Sequence, residues 1–167
     1  MTPTSEESAP GGKTGRGSEN KVPFIAAVQT TEDGHAVLAC LRPMPFTNQA
    51  MTEFAARSLV RPLTVVSDGL ACFLTTEKAG VHQRIVTGGG KAASKLLQFK
   101  AVNTVLRNLK TGPTGTYHAF KFAKYAHRYL AEFQYRFNRR FDLRSILSRL
   151  VHVACMTKPH ALAAIRG

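Results

Sequence analysis

The run TVVSDG, residues 64–69, decides how this chain is read. Thr64, Val65 and Val66 are β-branched and suit a pleated strand, whereas Ser67, Asp68 and Gly69 are turn formers. A strand ends where a carboxylate begins. Asp68 then has two readings. It is either a turn residue bonded to its own backbone, or a ligand at the carboxyl end of a strand, where α/β sheets place their binding crevice.

Working outward, VPFIAAVQT (22–30) and HAVLACLRPM (35–44) flank a DG turn and read as a β-hairpin. Thr47 or Asn48 can cap a helix to about Ser58, with Met51, Phe54, Ala55 and Leu59 near one face. Beyond Asp68 the pattern predicts a helix over 70–79 that stops at Gly80, then a strand HQRIVT over 82–87. TGGGKAASK (87–95) reads as a flexible loop. Helices follow over 100–110, 119–138 and 142–156, separated by TGPTG and by a cap at Asp142. The order strand, strand, helix, strand, helix, strand, then helices predicts a mixed α/β sheet with a helical C-terminal part. Residues 1–20 lack any apolar period and are expected to be a disordered lead-in, residues 21–157 one domain and residues 158–167 a tail.

The chain has 167 residues, enough for one domain with a core of its own. Cys40, Cys72 and Cys155 form no CxxC and have no His at ligand spacing, which argues against a zinc site and a disulfide framework. No apolar run reaches the roughly 20 residues of a membrane span, and the first residues have no secretory pattern. A soluble, cytoplasmic protein is expected. The 23 Lys and Arg against 10 Asp and Glu give a net charge of +13, and the excess is uneven. Residues 1–100 carry 11 basic and 8 acidic side chains, residues 101–167 carry 12 and 2. Such a polycationic half points to a polyanionic partner, most often nucleic acid.

Two phosphate-loop look-alikes, GGKTG at 11–15 and GGGK at 88–91, fail the GxxxxGK[ST] pattern, because Glu7 stands where the first glycine belongs and Ala92 follows Lys91. The run AVNTVLRNLK is more informative. Val102, Val105, Leu106 and Leu109 form an apolar stripe, while Asn103, Arg107 and Lys110 line the opposite face. That face offers an oxygen ligand and two cations. Phe122, Ala126, Tyr129, Leu130, Phe133 and Phe137 read as core. Lys121, Lys124 and Arg128, with Arg136, Arg139 and Arg140, read either as a solvated basic face or as phosphate contacts. Glu132 lies four residues from both Arg128 and Arg136 and is expected in an ion pair. His35, His82, His152 and His160 show no ligand spacing.

Asn103 follows Asp68 by 35 residues and Lys110 follows Asn103 by seven. With that spacing, the runs GGKTGRGSENKVPFIAAVQTTEDG (11–34) and NTVLRNLKTGPTGTYHAFKFAKYAHRYLAEFQYRFNRRFDL (103–143) closely resemble bacterial insertion-sequence transposases of the DDE superfamily, in the branch with Asn as the last catalytic residue. The resemblance spans about residues 10–157. It implies an RNase H-like fold and metal-dependent cutting and joining of transposon ends with Mg²⁺ or Mn²⁺ as cofactor, two ions in the complete site. It implies Asp68 as the second catalytic Asp, Asn103 as the third metal-ligating position, and Lys110 as a basic residue that contacts DNA. His118, in the recurrent GTYH segment, would lie near the site or cap a helix.

Members of that family carry a first catalytic Asp on a strand upstream of the Gly-rich segment, usually after a zinc ribbon. Here MTPTSEESAP occupies that place, Glu6 and Glu7 are weak stand-ins, and Asp33 falls in the hairpin turn. The first metal ligand, the first strand and the end-recognition module are therefore expected to be missing, and activity to be impaired. The alternative is a non-catalytic basic fragment that binds DNA and modulates an intact transposase, alone or in mixed oligomers. A basic RNA-binding structural protein would need neither the strand-end Asp nor the Asn-to-Lys face.

Overall fold

A hairpin organises the chain. Strand β1 (Phe24–Thr30) pairs antiparallel with β2 (Ala36–Pro43), with Phe24 opposite Pro43 and Ala27 opposite Cys40. The DG turn closes it as the sequence predicts: Gly34 takes φ +78°, a conformation open to glycine, and its N–H donates to the Thr31 carbonyl at 3.0 Å. The computed structural model describes residues 22–86, 95–116 and 122–163. The lead-in, nearly all of the 87–95 loop with GGGK, the GGKTG segment, His118, Lys121 and the start of the helix expected from residue 119 lie outside the described residues, as do the last tail residues.

Alternation sends the hairpin's side chains to two faces. On one, Ile25 packs with Met51 and Phe54 of α1 (Asn48–Ser58) and with Cys72. Thr47 caps α1, its Oγ1 accepting from Ala50 N at 3.3 Å. On the other face, Ala39 and Leu41 meet Val105 and Leu109 of α2 (Leu97–Thr116) and Leu130 and Phe133 of α3 (Phe122–Asn138). Val105 and Leu130 are 0% exposed, the centre of this core.

The outer edge of β2 is closed by side chains of α3 and the turn after it. Asn138 Oδ1 accepts from Ala39 N at 2.7 Å while its Nδ2 donates to Ala39 O at 2.9 Å, and Gln134 Oε1 accepts from Leu41 N at 2.7 Å. Arg140 donates to the carbonyls of Val37, at 3.1 Å, and Ala36. These groups take the bonds that another strand would make.

Strand β3 (Thr64–Ser67) pairs in parallel with β4 (Val81–Arg84), Val65 opposite His82 and Ser67 opposite Arg84. Among the described residues the strands thus form two two-stranded sheets, an α/β arrangement that departs from the single mixed sheet expected. The two halves meet through α1, which packs on the segment joining β3 to β4, and not through a strand ladder.

Three further differences have local causes. The helix expected over 70–79 is a 3₁₀ helix, Ala71–Lys78, in which Thr75 and Thr76 hydroxyls donate to the carbonyls three residues back, at 2.8 and 2.7 Å, and reinforce the tighter turn. Helix α2 does not stop at residue 110 but continues to Thr116 through Gly112 and Pro113. Thr111 and Thr116 hydroxyls bond four residues back, to Arg107 O at 3.0 Å and Gly112 O at 2.8 Å, on either side of the proline. Asp142 sits at the N-cap position of α4 (Leu143–Met156), but its φ of −132° and ψ of 62° leave the side chain without a capping bond. Helix α4 buries none of its residues, although Tyr135 donates to Ile146 O at 3.3 Å.

Candidate functional site

Asp68 leaves the end of β3 exposed to solvent, and the turn reading of TVVSDG is built into its geometry. Its Oδ1 accepts from Leu70 N at 3.3 Å, an Asx turn, and Gly69 takes φ +86°. A carboxylate has about four acceptor positions, so a turn bond does not by itself exclude metal ligation.

Both neighbours of Asp68 are held by β4. Ser67 Oγ lies 2.8 Å from His82 Nε2, and Ser67 O accepts from Ile85 N at 2.9 Å. Gly69 O accepts from both Nε and Nη2 of Arg84, at 3.1 and 2.9 Å. The His82 side chain is 1% exposed, its Nδ1 has no hydrogen-bond partner, and Glu77 Oε1 lies 3.7 Å from that nitrogen. Sequence reasoning gave His82 and Arg84 no role. Their spacing of two puts them on one face of a strand, but the partner of that face is set by the β3/β4 register, which the spacing does not show.

Asn103, Arg107 and Lys110 share one side of α2 at spacings of four and three, opposite buried Val105 and Leu109. Asn103 is half-buried, whereas Arg107 and Lys110 are exposed. On α3 the cations divide by task. Lys124 Nζ and the Arg128 guanidinium sit 5.3 and 5.4 Å from the centre of the Tyr125 ring, both side chains exposed. Arg136 Nε pairs with Glu132 at 2.6 Å. Arg139 stacks 4.1 Å over Tyr135, and Arg140, 4.0 Å over Phe137, closes the β2 edge. Arg139 and Arg140 are half-buried and engaged in packing. Arg107, Lys110, Lys124 and Arg128 present their charge outward.

Asp68 and Asn103 are hard oxygen donors, the class that Mg²⁺ takes, and Mg²⁺ sites commonly use one or two carboxylates and several waters. Among the described residues no three His, Cys, Asp or Glu gather as a larger ligand set would require. A cavity of about 420 Å³ between Leu38, Asn138, Asp142 and Arg149 includes neither Asp68 nor Asn103. No described helix is long and apolar enough to cross a membrane.

No curated protein and no solved structure matches the chain. A family profile described as the ISXO2-like transposase domain matches residues 3–138, most of the sequence and both segments that carry Asp68 and Asn103. The chain belongs to this family, the ISXO2-like insertion-sequence transposases of the DDE superfamily.

Proposed function

We propose that this chain acts on DNA in insertion-sequence transposition, with Asp68 as a metal-ligating carboxylate, Asn103 as a neutral oxygen ligand, and Lys110 and Arg107 as contacts to the phosphate backbone. The observation that carries this reading is the position of Asp68, exposed at a strand's carboxyl end in a turn braced on both sides. When bound, Mg²⁺ or Mn²⁺ would supply charge stabilisation and an activated oxygen for phosphoryl transfer. The protein's own share is to fix one carboxylate, to offer an amide oxygen, and to neutralise phosphates with exposed cations.

Supercoiled plasmid carrying insertion-sequence ends, incubated with Mn²⁺, tests this reading. Slow nicking is expected, and Asp68→Ala should abolish it. Nicking that survives Asp68→Ala would sink the assignment. A second reading, a non-catalytic DNA binder, is favoured by the outward cations Lys124 and Arg128. It predicts salt-dependent binding with no metal requirement.

A further inference from the structure

Residues of strand β4 grip both neighbours of Asp68 in the chain. His82 reaches Ser67, the residue before it, and Arg84 forks onto the carbonyl of Gly69, the residue after it. The strand register places these two side chains there, since Val65 lies opposite His82 and Ser67 opposite Arg84. The fit is tight at Gly69, where an added Cβ would stand 3.2 Å from Arg84 Nε and 3.0 Å from Val86 Cγ2. Ser67, His82 and Glu77 in sequence would also suit a nucleophile, base and acid. That role fails on access, because Ser67 is 7% exposed and the His82 side chain 1%. A buried serine with its hydroxyl held by a buried imidazole sets the position of its backbone.

We infer that His82 and Arg84 are positioning residues for Asp68: the Ser67–His82 bond and the Arg84 fork on Gly69 fix the turn that aims the Asp68 carboxylate. The inference rests on the reading of Asp68 as a metal ligand. Groups that orient a ligand in this way typically carry roughly 10- to 100-fold in metal affinity. Arg84 is exposed, so its replacement should leave the core intact, while His82 is buried and calls for a conservative partner variant.

The test uses the full chain, Mn²⁺ as the probe, and the free Mn²⁺ signal in electron paramagnetic resonance as the readout, with Asp68→Ala as the floor. Hydrogen exchange at the Leu70 amide, which donates to Asp68 Oδ1, reports the turn independently of metal. Arg84→Met should weaken Mn²⁺ binding by about tenfold, and speed exchange at Leu70, with the melting temperature lowered by only about 2–4 °C. Arg84→Lys, which retains one donor, should recover part of both. His82→Ala should behave like Arg84→Met and His82→Gln should restore part of the loss. If Arg84→Met and His82→Ala bind Mn²⁺ as the unaltered chain does while Asp68→Ala does not, the positioning inference falls alone. If Asp68→Ala binds Mn²⁺ unchanged, or the unaltered chain binds none, the ligand reading falls and takes the inference with it.

Discussion

Replacing Gly69 with alanine separates two costs that Gly34 helps to resolve. Both glycines have positive φ, +86° and +78°, so alanine at either must adopt a left-handed backbone, at about 1–2 kcal/mol. Alanine also restricts the unfolded chain, which offsets about 0.4–1 kcal/mol at both sites and cancels in the comparison. At Gly34 the new methyl meets nothing within 4 Å. At Gly69 it meets Val86 Cγ2 at 3.0 Å and Arg84 Nε at 3.2 Å, and the guanidinium cannot retreat without loosening its bonds to Gly69 O. Losing one such bond costs roughly 0.5–1.5 kcal/mol. Gly69→Ala should therefore be less stable than Gly34→Ala by about 1 kcal/mol. Urea denaturation followed by circular dichroism measures this as a lower midpoint at constant slope. If Gly69→Ala proves as stable as Gly34→Ala or more so, the bracket around Asp68 is slack and the reasoning about Arg84 is wrong.

Leu130→Ala should cost about 2–5 kcal/mol, because Leu130 is 0% exposed between α2 and the hairpin; a loss under 1 kcal/mol in the same denaturation assay would mean that this core collapses readily around the gap. Asn138→Ala leaves both backbone groups of Ala39 without their side-chain partner and should cost about 1–3 kcal/mol, with self-association by sedimentation as a second sign that the β2 edge has opened. For DNA, Lys124→Ala and Arg128→Ala should each reduce the slope of log affinity against log salt by about one. Arg140→Ala should instead lower stability and leave that slope unchanged, because its guanidinium is spent on Ala36, Val37 and Phe137 carbonyls.

What the sequence made legible was local. The DG turn placed the hairpin, Thr47 announced its helix, and the three- and four-residue spacing of Leu130, Phe133 and Phe137 marked the side of α3 that faces the hairpin. What it hid was set by partners far along the chain. Asn138 and Gln134 reach residues 99 and 93 positions earlier, and nothing near them announces an acceptor there. Arg140 read as one more cation, since the β2 carbonyls that it holds lie 103 and 104 residues away. His82 was silent for the same reason: its meaning depends on the register of β3 with β4, which no spacing along the chain reveals. Pro113 misled in the opposite sense, for it looked like a stop and α2 runs through it. Asp68 was legible as a question, and the turn half of it is answered by the Asx bond to Leu70 N and the β4 bonds to its neighbours.

The amide and guanidinium groups that occupy the outer edge of β2 also limit how copies of this chain can join. A sheet with two open edges can recruit copy after copy without end. With β2 plugged, this edge of the hairpin offers no row of free backbone groups to a strand of another copy. Strand pairing that starts at this edge is thereby kept from running on into a fibre.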